Sequence, residues 1–247
     1  MGVNIIYNED CLETMKGMDD NYIDLTITSP PYDSLRVYNG YAFDFESTSK
    51  ELYRVTKEGG VLVWIVGDET IKGSETGTSF RQALGLKEVG FNLHDTMIWR
   101  KTNPMPKFKH KRYSCVFEYM FILSKGQPKT FNPLMQLNKR AGELYDYTAK
   151  LKTTGKVRQK KTFNINSERY RDNIWEIAVA RNDTDHPAVF PEALVSDHIL
   201  SWSNEGDIVY DPFIGSGTTA IAAKKLGRNY IGSEISQEYC AIAVGRI

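Results

Sequence analysis

The stretch Asp211-Pro212-Phe213-Ile214-Gly215-Ser216-Gly217-Thr218-Thr219 does most to limit what this chain can fold into. The run DIVYDP at 207–212 predicts a strand that ends at its proline. Gly217 to Leu226 has a helical pattern that Gly227 stops. Gly215 and Gly217 permit a tight turn and a close approach of backbone to ligand, and the helix N-terminus offers free N–H groups. Fifteen residues after Thr219 comes Glu234, at the end of the next expected strand, NYIGSEI at 229–235. An acid there can accept hydrogen bonds from two ribose hydroxyls. Strand, turn, helix, strand and acid together point to a cofactor that carries a nucleoside. The third glycine of the dinucleotide spacing is missing, which argues against NAD.

The rest of the chain repeats this alternation. Residues 4–7 (NIIY) and 23–28 (IDLTIT) predict strands, with a helix beginning at Asp10 between them. Residues 48–57 predict a helix that stops at Gly59-Gly60, followed by the buried strand VLVWIV at 61–66. Residues 78–89 predict a helix ending at Gly90, and strands follow at 94–100 and 116–123, the second placing Phe117 in the core. Helices are also expected at 191–203 and 236–246. The fold class is α/β, a Rossmann-like, doubly wound, mostly parallel sheet. Trp64, Trp99, Trp175 and Trp202 read as core residues.

Residues 125–181 break the pattern: they are polar, basic and irregular, and read as an insertion. The formal net charge is zero, yet residues 100–181 hold 19 Lys/Arg against 6 Asp/Glu, and the remainder holds 12 against 25. A solvated loop region would share that composition, but a split of this size suits a polyanionic partner. Lys107, Lys109, Lys111 and Arg112 form one basic cluster, and Lys156, Arg158, Lys160 and Lys161 another; neither is assigned a recognition role. No apolar run reaches about 18 residues, so no membrane span is expected. Cys11, Cys115 and Cys240 are odd in number and far apart, which suits reduced thiols in the cytoplasm, and the four histidines show no metal-ligand spacing.

Thr28-Ser29-Pro30-Pro31-Tyr32 is the second sharp signal. The prolines end the strand and stiffen the turn. The Ser29 hydroxyl and the Pro30 carbonyl can accept hydrogen bonds from an amino group, and Tyr32 offers a flat face to a base. No strong base is present. Catalysis would come from alignment and from hydrogen bonds that draw the nitrogen lone pair out of conjugation.

Together these residues resemble the amino-methylating DNA methyltransferases of the β class. In that family the tetrapeptide comes first, the target-recognition region second and the cofactor loop last, as Ser29–Tyr32, 125–181 and Asp211–Thr219 do here. The resemblance implies S-adenosyl-L-methionine as cofactor and a circularly permuted order, in which NIIYNED at the N-terminus follows Glu234 in the fold. It implies a catalytic half at 1–124, an inserted recognition region at 125–185 and a cofactor-binding half at 186–247. It assigns Ser29, Pro30, Pro31 and Tyr32 to catalysis. It assigns Asp10 and Cys11 to the adenine end of the cofactor, and Phe190, Pro191 and Glu192 of HPAVFPE to the methionine end. Asp211, Phe213, Gly215, Ser216, Gly217, Thr218, Thr219 and Glu234 complete the cofactor set. By the residues alone Asp10 also reads as a helix N-cap, and the two roles are compatible.

In this family Ser-Pro-Pro-Tyr is typical of enzymes that methylate N4 of cytosine, and Asp-Pro-Pro-Tyr of those that methylate N6 of adenine. Ser29 therefore favours cytosine, with adenine as the alternative. Either base must leave the duplex stack. The implied partners are double-stranded DNA, a second copy in a homodimer and a cognate restriction endonuclease. More distant readings are an RNA methyltransferase and a non-catalytic DNA-binding protein.

Overall fold

The computed structural model describes residues 1–31, 43–104, 111–147, 161–179 and 191–247. Along them run β1 (Ile5–Tyr7), α1 (Cys11–Lys16), β2 (Ile23–Thr28), α2 (Phe45–Val55), β3 (Thr56–Val66), β4 (Thr70–Ile71), β5 (Ser74–Glu75), α3 (Thr78–Val89), β6 (Asn92–Lys101) and β7 (Phe117–Ser124). They continue with β8 (Met135–Leu137), β9 (Leu144–Tyr147), β10 (Lys161–Asn164), β11 (Glu168–Tyr170), β12 (Ile174–Ile177), α4 (Glu192–Trp202), β13 (Ile208–Asp211), α5 (Thr218–Lys225), β14 (Asn229–Ser233) and α6 (Gln237–Arg246). The chain divides into two compact units: Met1–Asn132 with Asn173–Ile247, and Pro133–Asp172.

Eight described strands of the larger unit form one sheet in the order β1-β14-β13-β2-β3-β7-β6-β12. Pairing is parallel except on the two sides of β7, which runs antiparallel to β3 and β6. From β13 the chain passes through α5 to β14, towards one edge; from β2 it passes through α2 to β3, towards the other. Neighbouring β13 and β2 are therefore the switch point, where ligands of open α/β sheets bind outside the carboxyl ends of the strands.

The central strands are buried on both faces, and their sequences are nearly continuous apolar runs. Leu62, Trp64 and Val66 of β3 pack with Met15 of α1, Leu52 and Val55 of α2, and Ala83 and Leu86 of α3. On the opposite face His198 of α4 lies with Nε2 3.3 Å from Met120 Sδ, and α5 packs beside α4. All four tryptophans are buried. No described helix is long and apolar enough to cross a membrane.

Local chemistry sets the helix boundaries. Asp10 caps α1 by accepting from the Leu12 amide at 2.8 Å, and Asp44 caps α2 by accepting from the Ser47 amide at 3.1 Å. Gly90 ends α3 at φ 130°, and a β-carbon there would meet the Tyr53 ring at 2.8 Å.

Three expectations need correction. Gly59-Gly60 does not stop a helix: α2 ends at Val55, and the glycines sit inside β3, where the pairing to β2 shifts register between Ile23 and Leu25. Gly59, at φ 80°, donates to the Lys125 carbonyl, so glycine serves a strand irregularity. Residues 125–181 are not irregular throughout. Ile174–Ile177 forms an edge strand of the main sheet, buried through Trp175, and the Trp99 Nε1 donates to the Ile177 carbonyl at 2.9 Å. Phe117 is not core. It is 36% exposed, because β7 begins opposite exposed Arg100, beyond the apolar layer.

The smaller unit contains two antiparallel pairs, β8 with β11 and β9 with β10. Asp172 holds Arg169 and accepts from Gln136 Nε2 at 3.1 Å. The guanidinium of Arg169 is the main reason the Asp172 carboxyl is held down at about 2.

Candidate active site

Among the described candidate residues, Asp10, Ser29, Asp211 and Glu234 lie at or just beyond the carboxyl ends of four adjacent parallel strands. Thr28 is the last residue of β2 and Asp211 the last of β13; Glu234 follows β14, and Asp10 lies three residues beyond β1. This convergence is a product of topology, because β1 and β14 come from opposite ends of the sequence and pair in register, Tyr7 with Ser233.

Asp211 is the hub. Its carboxylate is 2% exposed. Oδ1 accepts from Thr28 Oγ1 at 2.7 Å and from the Phe213 amide at 3.0 Å; Oδ2 accepts from Thr219 Oγ1 at 2.7 Å. One side chain thus ties the strand that leads into Ser29, the cofactor loop and the first turn of α5. Burial pushes the Asp211 carboxyl up to about 6, while the hydrogen bonds from Thr219, Thr28 and Phe213 pull the other way.

The loop after β13 is held from Phe213 to Gly217. The Ile214 amide donates to the Ser233 carbonyl at 3.0 Å, and the Gly217 amide to the Ile214 carbonyl at 3.0 Å. Gly215 and Gly217 have φ of 53° and 88°, which disfavour any side chain. Glu234 Oε2 accepts from the Gly215 amide at 3.0 Å, and Oε1 from the Ser236 amide at 2.8 Å. Ser216 is buried, and Arg246 Nη1 donates to its carbonyl at 2.5 Å and its hydroxyl at 3.0 Å. Thr218 and Thr219 open α5, and both are buried.

The N-terminal contribution closes the edge. The Glu234 amide donates to the Tyr7 carbonyl at 3.0 Å, and Asn8 Nδ2 donates to the Glu234 carbonyl at 2.8 Å. Asp10 is the N-cap of α1, as its sequence context suggests. Cys11 is 2% exposed, and burial, helped by neighbouring Asp10, pushes its thiol up to about 12. That thiol stays protonated at neutral pH and is not a nucleophile.

Ser29 and Pro30 are buried, and Pro31 is half-buried. Phe213 is half-buried with its ring edge-on to Phe43, centroids 5.2 Å apart, and Phe43 in turn lies beside Phe45 and Trp64. Pro191 caps α4 and is buried, while Glu192 is exposed and pairs with Lys225 of α5 at 2.6 Å. Tyr32 and Phe190 lie outside the described residues, as do Lys107, Lys109, Lys156, Arg158 and Lys160. Lys111 and Arg112 line a separate cleft of about 930 Å³ beside the β4–β5 hairpin. Arg112 is engaged there, donating to Thr70 Oγ1 at 2.7 Å and to the Gly73 carbonyl at 3.0 Å.

Sequence reasoning named Thr28 without giving it a role, and missed Asn8 and Arg246. Thr28 precedes the noticed tetrapeptide, and a polar residue closing an apolar strand was its signal. Nothing in the sequence marks Asn8 or Arg246, since their partners lie 226 and 30 residues away.

The donor set suits a ligand with a nucleoside at one end and an amino acid at the other. Carboxylates at Asp10 and Glu234 are the acceptors that hydroxyl and amino donors of such a ligand need, and the start of α5 at Thr218 is a helix N-terminus of the kind that suits a carboxylate. Comparison with known proteins agrees. A family model described as DNA methylase, covering the N6 and N4 enzymes, matches residues 23–245. The chain belongs to this N6/N4 DNA methylase family. It is 55% identical to the orphan methyltransferase M.BamHII of Bacillus amyloliquefaciens, over 94% of this chain and 91% of that one. The M1.HpyAVI–SAM complex superposes with a TM-score of 0.63 and 28% identity, covering 98% of each chain. The PvuII cytosine-N4-specific DNA methyltransferase superposes with a TM-score of 0.72 and 22% identity, over 98% of this chain and 85% of that one, a likeness of fold. The mixed, mostly parallel sheet is therefore that of methyltransferase structures.

Proposed function

We propose that this DNA methyltransferase is site-specific and methylates the exocyclic amino group of a base flipped from duplex DNA, most directly N4 of cytosine. The observation that carries this reading is the hydrogen bond from Thr28 to Asp211, which joins the turn bearing Ser29 and Pro30 to the cofactor loop at the switch point of the sheet.

The cofactor is S-adenosylmethionine, whose sulfonium supplies an electrophilic methyl group. Glu234 would hold the ribose and Asp10 the adenine amine, while Gly215–Thr219 and Phe213, with Phe190, Pro191 and Glu192, would hold the methionine end. Ser29 and the Pro30 carbonyl would accept hydrogen bonds from the target amine and align its lone pair, with Tyr32 stacking on the base. The amine needs no strong base, since its proton is lost during or after attack. Serine both donates and accepts, which suits an amine beside a ring nitrogen in either base; the preference for cytosine rests on the Ser-Pro-Pro-Tyr tetrapeptide.

The permuted order is supported by β1, the first strand, completing the side of the sheet that β13 and β14 begin. The division into halves at 1–124 and 186–247 with recognition residues at 125–185 is supported by the separate compact unit at 133–172. Its basic surroundings suit phosphate contact. We place the enzyme in the cytoplasm with its DNA, as a homodimer and with a cognate endonuclease as its proposed protein partners.

The test is to incubate the protein with labelled S-adenosylmethionine and mixed-sequence duplex, digest to nucleosides and identify the product. N4-methyldeoxycytidine is expected. N6-methyldeoxyadenosine would overturn the cytosine assignment, and transfer to RNA alone would overturn the DNA substrate.

A further inference from the structure

Arg246, at the end of α6, has no place in the reaction described above, yet it reaches back to the centre of the cofactor loop. Its Nη1 donates to the Ser216 carbonyl at 2.5 Å and to Ser216 Oγ at 3.0 Å. The same helix meets the loop a second time: a β-carbon on Gly217 would lie 2.9 Å from Ala243 Cβ. At its other end α6 starts from Ser236, whose amide is held by the Glu234 carboxylate that also holds Gly215. One segment, from Glu234 to Arg246, therefore grips Gly215, Ser216 and Gly217 in succession.

We infer that Arg246 is a positioning residue for cofactor binding. The inference rests on the assignment of the Asp211–Thr219 loop to S-adenosylmethionine. Gly215 and Gly217 both sit at positive φ and give the turn little stiffness of their own. The residue between them is buried and is an ordinary L-amino acid. Fixing its carbonyl fixes the peptide plane between Ser216 and Gly217, and so the direction of the Gly217 amide at the start of α5. A guanidinium can hold carbonyl and hydroxyl together; an ammonium is a point donor and holds them less well. The arrangement also directs the Ser216 hydroxyl towards α6, so the loop would meet its ligand mainly through backbone groups. A cation in the last turn of α6 is favourable to that helix in any case, so the grip carries little cost in stability.

The test compares Arg246→Gln, Arg246→Lys and Ser216→Ala with the parent protein. Calorimetric titration with S-adenosylmethionine reads affinity without turnover, and thermal melts read the fold. Loss of a charged hydrogen-bonded contact on a partly exposed side chain should weaken binding about tenfold in Arg246→Gln. Arg246→Lys should recover part of it. The melting temperature should stay near the parent's, and in turnover assays KM for the cofactor should rise while kcat and KM for DNA stay unchanged. Combining Arg246→Gln with Ser216→Ala should cost less than the sum of the single changes. Parent-like affinity in Arg246→Gln, or a loss additive with Ser216→Ala, would overturn the proposal. So would a fall in kcat with KM unchanged. A parent that binds no S-adenosylmethionine overturns the cofactor assignment itself, and that result is distinct because it appears before any substitution.

Discussion

The edge formed by the carboxyl ends of β13 and its neighbours and the small unit at 133–172 are built on opposite principles. At the edge, polar side chains are buried and satisfied: Asp211 has three donors, Glu234 holds two amides, and Thr28, Ser216 and Thr219 are all engaged. In the small unit, apolar side chains face solvent, with Leu137 80% exposed, Leu144 70% and Tyr170 62%. The edge is organised by side chains of the chain itself, which satisfy one another's hydrogen bonds. The described strands of the small unit pair only two by two, and such pairs are marginal in water. A buried, fully hydrogen-bonded site suits an invariant small cofactor, whereas an exposed apolar ribbon suits a surface completed by a large partner.

The largest expected effect tests the first half of that contrast. Asp211→Ala strands the Thr28 and Thr219 hydroxyls and the Phe213 amide in a buried site. Unpaired buried groups each cost about 1–3 kcal/mol, so stability should fall by about 3 kcal/mol. Affinity for S-adenosylmethionine should fall more than 100-fold, because both the loop and the strand into Ser29 lose their tether. Denaturant melts and calorimetry check this together. Unchanged affinity would show that the loop does not depend on its hub.

The second expected effect is a pH dependence with a definite sign. Burial raises the Asp211 carboxyl from 3.8 to about 6, so the folded state favours the protonated form. The stabilising contribution of this group is therefore fully present below the unfolded value and is lost as pH rises through about 6. Two units correspond to about 3 kcal/mol at most. The stability difference between the parent and Asp211→Asn should change across that window, in favour of the asparagine variant as pH rises. Parallel stability curves from pH 4 to pH 7.5 would mean that Asp211 is better solvated than its burial implies.

The same contrast explains what the sequence could reveal. Short-range chemistry was legible: the Asp10 cap, the Gly90 stop, the turn at Gly215–Gly217 and the prolines after Thr28 each depend on a few adjacent residues. The carboxylate at Glu234 was legible because a strand and a helix of ordinary length separate it from the loop. Contacts between distant segments were not. Arg246 on Ser216 and Asn8 on Glu234 depend on how helices and strands pack, and no local pattern announces them. The edge strand at Ile174–Ile177 was hidden by its charged surroundings, although the alternation of buried Trp175 with exposed Ile174 and Glu176 is a half-buried strand pattern. Gly59-Gly60 misled because glycine ends helices and interrupts strands equally well.

The smallest expected effect sharpens the second half of the contrast. In the pair β8–β11, Tyr170 stands opposite Met135, with Leu137 on the same face. If these side chains pack a core, replacing them will cost stability. If they meet DNA, the cost will fall on binding alone. We expect Leu137→Ser and Tyr170→Ser to leave the melting temperature within about 1 °C of the parent, since exposed positions contribute within about 0.5 kcal/mol. Affinity for duplex DNA, read by fluorescence anisotropy, should fall about tenfold, and affinity for S-adenosylmethionine should not change. The apolar contribution should persist at raised salt, because it adds no phosphate contact and leaves the salt dependence of binding parallel to the parent's. A drop of several degrees in melting temperature with DNA affinity intact would make the ribbon a structural element, and the opposition between a self-satisfied edge and a partner-completed surface would fail on that side.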